Sequence, residues 1–199
     1  MSNRDNSGIN LRIAILGYEA VGKTLLYRKI VSEANKEATV FIDSDKYIPT
    51  YGFTTSKFDW TFLIGKEKIN GKITLFDTAG HELNQTLTKA HYASFDAFIF
   101  LFDTRKPHTL TYIYQELKRI AKLKKNIHGY LIGNTFGEKV PSNTRQRCSD
   151  LIKGYKTTIE YMELSLLNES SNSSYLILID RLVYSILIRA YRRVRLRTT

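Results

Sequence analysis

Residues Gly17 to Thr24, "GYEAVGKT", have the spacing G-x-x-x-x-G-K-T. That spacing suits one chemistry, the gripping of phosphate. Glycines let the backbone curl so that successive N–H groups face one anion, and a helix that starts at the end of the loop adds the positive end of its dipole. In such a loop Lys23 reaches the outer phosphates and the Thr24 hydroxyl ligates Mg2+. Gly17, Glu19, Ala20, Val21, Gly22 and Leu25 form the rest of the cradle. A second set lies in "LFDTAGHE", Leu75 to Glu82. Asp77 closes an apolar run, where a carboxylate can hold Mg2+ directly or through water, and Gly80 can offer its backbone N–H to a γ-phosphate. A third is "LIGNTFGEK", Leu131 to Lys139. It reads as a buried strand opening onto a loop, the place where nucleotide-binding α/β proteins put their ligand readers.

These sets need elements to hold them. "LRIAIL" (Leu11 to Leu16) is a short apolar run stopped by Gly17, and "KTLLYRKIVSEAN" after the loop has helical spacing. The strand–loop–helix order is the context the phosphate motif requires. "FTTSKFDWTFLI" and "KITLF" flank Asn70-Gly71, a strong hairpin signal. Further on, "DAFIFLFD", "HGYLIG" and "TTIEYMELS" read as strands. Between them, "TLTYIYQELKRIAKL" and "SNTRQRCSDLIKGY" read as helices, and "SSYLILIDRLVYSILIRAYRRV" as a long last one. Strands alternating with helices predict an α/β domain with a mostly parallel sheet, helices on both faces and one antiparallel strand.

The phosphate loop together with "DTAGHE" resembles the Ras superfamily of small GTPases, and within it the Rab branch. "YIPTYG" (Tyr47 to Gly52) is similar to the family's first switch, and "HYASFDAFIFLFDTRKPHTL" to the stretch after its second. The resemblance covers about Leu11 to Leu167. It implies the P-loop NTPase fold of Ras type, with six strands, five of them parallel. It also implies GTP or GDP with Mg2+, and effector and regulator proteins at the switch surface. Thr50 falls in the place of the Mg2+-sensing threonine, so Thr24, Thr50 and Asp77 are the implied metal set. Phe41 is the aromatic that would clamp the base.

Four departures from the family pattern matter. Glu19 stands where relatives have a small or polar residue near the γ-phosphate; it either repels phosphate and crowds an incoming arginine, or points to solvent. His81 replaces the glutamine that orients the attacking water, which makes His81, with Lys23 and Gly80, the implied catalytic set. Asn134 survives in the base-reading motif, but Thr135 replaces the stacking lysine and Gly137 the guanine-reading aspartate. The later S-A-K loop appears as "LSLLN", keeping Ser165 and placing Leu166 where a backbone N–H could meet the base. Phe136 either packs on a base or packs into the fold. Finally, the spacing from Lys23 to Thr50 is longer than in Ras or Rab, through the insertion "NKEATVFIDSDK". The expectation is a GTPase switch with slow hydrolysis and weak base discrimination, acting in vesicle or membrane traffic. The rivals are a pseudo-GTPase scaffold and a P-loop kinase, and "DTAGHE" after a hairpin argues against the kinase.

Bulk composition agrees. With 43% hydrophobic and 25% charged residues the chain can bury a core. Its single cysteine, Cys148, excludes an internal disulfide and fits a reducing, cytoplasmic location. The N-terminus carries no apolar signal core. The expected layout is a loose 1–10, a domain over 11–191 and a basic tail over 192–199. The formal charge of +11 favours an anionic partner. "KRIAKLKK" (Lys118 to Lys125) reads as a solvated helix face. The five arginines between Arg189 and Arg197 complement a helix dipole and suit reversible contact with an anionic membrane. The chain ends "RLRTT", without a prenylation box. No nucleic-acid module is visible, so nucleic acid ranks last among the partners.

Overall fold

The computed structural model describes residues 9–35, 52–64, 67–80, 89–155, 157–167, 175, 177–182 and 184–185. Six strands form one sheet: β1 (Ile9–Leu16), β2 (Phe53–Ile64), β3 (Glu67–Thr78), β4 (Ala97–Asp103), β5 (Ile127–Asn134) and β6 (Thr157–Leu164), in the order β2-β3-β1-β4-β5-β6. Five strands run parallel and β2 pairs antiparallel with β3, as expected. β1 starts at Ile9, which pairs with Gly71, so residues 9 and 10 belong to the sheet and not to a loose terminus.

All seven residues of β4 are buried, which is why it reads as a continuous apolar run: helices cover it on both sides. On one face α1 (Lys23–Asn35) contributes Leu26 and Ile30, joined by Tyr175, Leu178, Ile179 and Leu182 of the last helical residues. On the other face α2 (Pro107–Leu123) contributes Leu110, Ile113, Leu117 and Ile120, and α3 (Thr144–Lys153) contributes Cys148 and Leu151. The i, i+3, i+4 spacing on α2 turns one stripe to the sheet, and Pro107 at its first turn has no helical N–H to lose.

The hairpin differs from expectation. Asn70 and Gly71 lie inside β3, opposite Thr61 and Trp60, and the pairing runs on to Ile64 opposite Glu67. A ladder extending from Phe53↔Thr78 to Ile64↔Glu67 outweighs the local turn preference of an Asn-Gly pair. The fold also buries a charge. Glu116 on α2 is fully buried, hydrogen-bonded by the Tyr92 hydroxyl and by Arg119. Burial and the Glu116 carboxylate together push the Tyr92 phenol far above its ordinary pKa, so Tyr92 stays a donor.

Candidate functional site

The parallel strands bring their C-terminal ends to one edge of the sheet, and the loops that follow β1, β3, β5 and β6 converge there. Residues 17–22 leave β1 and enter α1 at Lys23. Lys23 is only 6% exposed, and its ammonium donates to the Tyr18 carbonyl at 2.7 Å. Burial lowers its pKa to about 8, against the opposing pull of the Asp77 and Glu19 carboxylates. A cation held with so little solvent is suited to an anion of high charge, and phosphate is one. Ala20 has φ 56°, a left-handed bend that turns the loop around this point.

Asp77 ends β3, buried, and its Oδ2 accepts from Thr24 Oγ1 at 2.6 Å. A hydroxyl and a carboxylate are hard oxygen donors of the kind Mg2+ takes. The described residues hold no cluster of three His, Cys, Asp or Glu. The next residues are tightly registered. Thr78 Oγ1 donates to the Ile15 carbonyl at 2.6 Å, and the Ala79 N–H to the Gly52 carbonyl at 2.8 Å, linking this strand end to the segment that follows Thr50. A side chain on Gly80 would collide with Lys23 Nζ and with the Glu19 backbone, so only glycine allows this approach to the phosphate loop. Glu19 is partly buried, and its charge acts on Lys23.

The other half of the site is built differently. Asn134 is fully buried at the end of β5; its Nδ2 donates to the Val21 carbonyl at 3.1 Å, and its Oδ1 accepts from the Phe136 and Leu166 N–H groups, both at 3.3 Å. One amide thus joins the phosphate loop, the 135–138 turn and the loop after β6. The N–H of Leu166 is directed to Asn134, and its buried side chain lies against Gly22. Thr135 folds back locally, its Oγ1 accepting from the Gly137 N–H at 3.3 Å. Phe136 and Gly137 are both left-handed, at φ 50° and 82°. Gly137 is exposed, and Ser165 Oγ is the atom nearest to where its side chain would start, at 4.0 Å. That hydroxyl oxygen is buried and has no hydrogen-bond partner among the described residues. Leu167, two residues after Ser165, is 56% exposed.

Arg105 organises this half, and the sequence reading missed it. It forms a fork on the buried Asp103, Nε to Oδ1 and Nη2 to Oδ2 at 2.9 Å each, and reaches Glu138 with Nη1 at 3.1 Å. Its guanidinium lies over the Phe136 ring, 3.9 Å from the centroid. Burial would raise the Asp103 pKa, but the bonds from Arg105 outweigh it and hold the carboxyl below its ordinary value. Of the two expectations for Phe136, packing within the fold describes its Arg105-covered face, and Glu138 is committed to Arg105. An Asp two residues before an Arg at a strand end was the signal available, but Glu138 lies 33 residues away.

His81, Phe41 and Thr50 lie outside the described residues, as do the insertion before Thr50 and the five C-terminal arginines. The site thus brings together Gly17, Glu19, Ala20, Val21, Gly22, Lys23, Thr24, Leu25, Asp77 and Gly80 on one side. Asn134, Thr135, Gly137, Ser165 and Leu166 stand on the other. No helix among the described residues is long and apolar enough to cross a membrane.

Comparison with known proteins gives a consistent result. The model of the Ras family matches residues 12–184. The putative ras-related protein Rab-5B of Dictyostelium discoideum is 26% identical over 157 residues, which is 77% of this chain and 64% of that protein. Ras-related protein SEC4 of Saccharomyces cerevisiae is 32% identical over 113 residues, 55% of this chain and 46% of that protein. Human Ras-related protein Rab-30 is 26% identical over 130 residues, 62% and 55%. The chain therefore spans between about half and just under two thirds of the length of these curated relatives.

Proposed function

The chain belongs to the Ras family, and from that premise we propose that it is a nucleotide-dependent switch that binds a guanine nucleotide with Mg2+ and hydrolyses GTP slowly. The observation that carries this is the buried Lys23 ammonium beside the Thr24–Asp77 pair, with Gly80 against the same loop. In this arrangement Lys23 and the loop amides would hold the β- and γ-phosphates. Thr24 and Asp77, with Thr50, would hold Mg2+. The Gly80 N–H would meet the γ-phosphate, whose loss would release both switch segments to their partners. His81 would position the attacking water. Mg2+ would neutralise charge on the transferred phosphoryl group. The Rab resemblance suggests a place in vesicle or membrane traffic, with effectors and regulators at the switch surface. The C-terminal arginines supply reversible attraction to an anionic membrane.

The base half supports a narrower claim: guanine is preferred weakly, on the order of tenfold over adenine. Strong discrimination requires a polar reader that the wrong base leaves unpaired. Gly137 has no side chain to read with, and Glu138 is bonded to Arg105. The same observation favours a second reading, a pseudo-GTPase scaffold with relaxed or absent nucleotide specificity that holds nucleotide permanently or binds none. Identifying the nucleotide that copurifies, followed by competition calorimetry with GDP and ADP, tests the first part. Single-turnover hydrolysis by wild type and His81→Ala separates the two readings. A slow rate that falls on substitution supports the switch, and no hydrolysis in either protein supports the scaffold. Exclusion of ADP by several orders of magnitude would refute weak base discrimination.

A further inference from the structure

The phosphate loop carries one aromatic side chain that gripping phosphate does not itself require. Tyr18 follows Gly17, and its carbonyl is the acceptor for the Lys23 ammonium, at 2.7 Å. The backbone on either side of it has little room to move. A side chain on Gly17 would collide with the Leu101 carbonyl of β4, and one on Gly80 would collide with the backbone of Glu19. The Tyr18 ring is partly buried and packs against the cores on both faces of the sheet. It stands edge-on to two rings of α2. His108 is 5.2 Å away between centroids at 86°, and Tyr112 is 5.6 Å away at 68°.

The two partner rings are four residues apart and so share one side of α2. Tyr112 is buried, so its place is set by packing. The start of α2 is held by Thr109, whose hydroxyl accepts from the Asp103 N–H at 3.1 Å and donates to the Lys106 carbonyl at 2.6 Å. Asp103 is held in turn by Arg105. The slot that receives the Tyr18 ring is therefore built by β4 and α2, not by the phosphate loop. A lysine ammonium ends a flexible stem and has no preferred direction of its own, so its acceptor aims it. A buried ammonium also needs such an acceptor to offset the loss of water.

We propose that Tyr18 is a positioning residue for Lys23: its ring, seated against His108 and Tyr112, fixes the carbonyl that holds the ammonium in place for phosphate. The inference rests on the reading of Lys23 as the phosphate-binding lysine. Edge-on aromatic pairs hold a ring more firmly than its buried area alone would. An ammonium has three N–H donors, so the bond to Tyr18 orients it and leaves donors for an anion.

The first arm of the test needs no nucleotide. The full chain, stripped of nucleotide, is treated with an N-hydroxysuccinimide acetate ester, and acetylation is read lysine by lysine by mass spectrometry. Tyr18→Ala should raise labelling of Lys23 by about fivefold or more and leave the exposed Lys118 unchanged. His108→Ala, at an exposed position that spares the fold, removes one wall of the slot and should raise it about threefold. That variant carries the test should Tyr18→Ala not fold. Tyr18→Phe keeps the ring and should label as the wild type does. The second arm is calorimetry with GDP and Mg2+. Tyr18→Ala should weaken binding by roughly tenfold, and Tyr18→Phe should restore it. In a Lys23→Ala background Tyr18→Ala should cost nothing further, because a residue that acts through Lys23 has nothing left to act on. Equal labelling of Lys23 in the wild type and in the folded alanine variants overturns the proposal. So does a loss of affinity that persists in full without Lys23, the mark of a ring that only fills space. Raised labelling in a chain that binds no nucleotide upholds the positioning of Lys23 and overturns the phosphate reading instead.

Discussion

The phosphate half and the base half of this site share one sheet edge but are built on opposite terms. The phosphate half uses backbone, a buried lysine and short oxygen donors, set within a contiguous strand–loop–helix. Its charge is concentrated and shielded: Lys23 is buried with its pKa drawn down to about 8. In the base half, the charged groups face one another. Arg105 satisfies Asp103 and Glu138 and covers Phe136, so the charges that could address a base are spent on holding the loop. Under the proposed function, binding energy would reside in the phosphates, and selectivity would be left to what little the loop presents.

The largest test of that contrast removes the phosphate grip. Lys23→Ala should cost GDP and ADP affinity equally, by roughly 10²–10³-fold, since charge-assisted hydrogen bonds contribute about 1.5–3 kcal/mol each. Calorimetry with both nucleotides checks it, and a loss confined to one base would break the division of labour. Next is the amide that joins the halves. Asn134→Ala strips a buried donor from the Val21 carbonyl and an acceptor from two N–H groups, and should lower unfolding free energy by about 2–4 kcal/mol in urea titration.

A pH series sharpens the phosphate side. In the free protein Lys23 gives up its proton near pH 8, whereas bound phosphate raises that value. Affinity should be full below pH 8 and fall above it by up to tenfold per unit. Calorimetry at pH 9 in buffers of different ionisation enthalpy should register proton uptake. The lowered pKa has the opposite consequence for the empty chain. Between pH 8 and 10.5 the unfolded state binds more protons than the native one, so stability gains from this group as pH rises through that window.

The smallest effect is expected on the base side. Gly137→Asp places a carboxylate toward the Ser165 hydroxyl, which has no hydrogen-bond partner among the described residues and is 4.0 Å from the new Cβ. It should raise the GDP-over-ADP ratio by about three- to tenfold. The φ of 82° costs about 1 kcal/mol of stability, because a Cβ is strained there. An unchanged ratio, with stability lowered as expected, would show that another group reads the base.

The sequence alone determined the phosphate half, because a run of eight residues, Gly17 to Thr24, carries its own geometry: loop curvature, helix start, cation and hydroxyl are all local. Asp77 was legible as the polar end of an apolar strand, and the alternation of strands and helices predicted the parallel sheet. That position 137 carries no carboxylate was equally plain. What surrounds it was not. Arg105 meets Glu138 only because β4 and β5 are neighbours in the sheet, and Trp60 meets Asp180 across 120 residues. The hairpin went astray for the same reason in reverse. A local signal at Asn70-Gly71 pointed to a turn, and the pairing of the two whole strands overruled it. Nor could periodicity show that Glu116 is buried against Tyr92. Local chemistry is written in neighbouring residues, whereas the partners of a charge are chosen by packing.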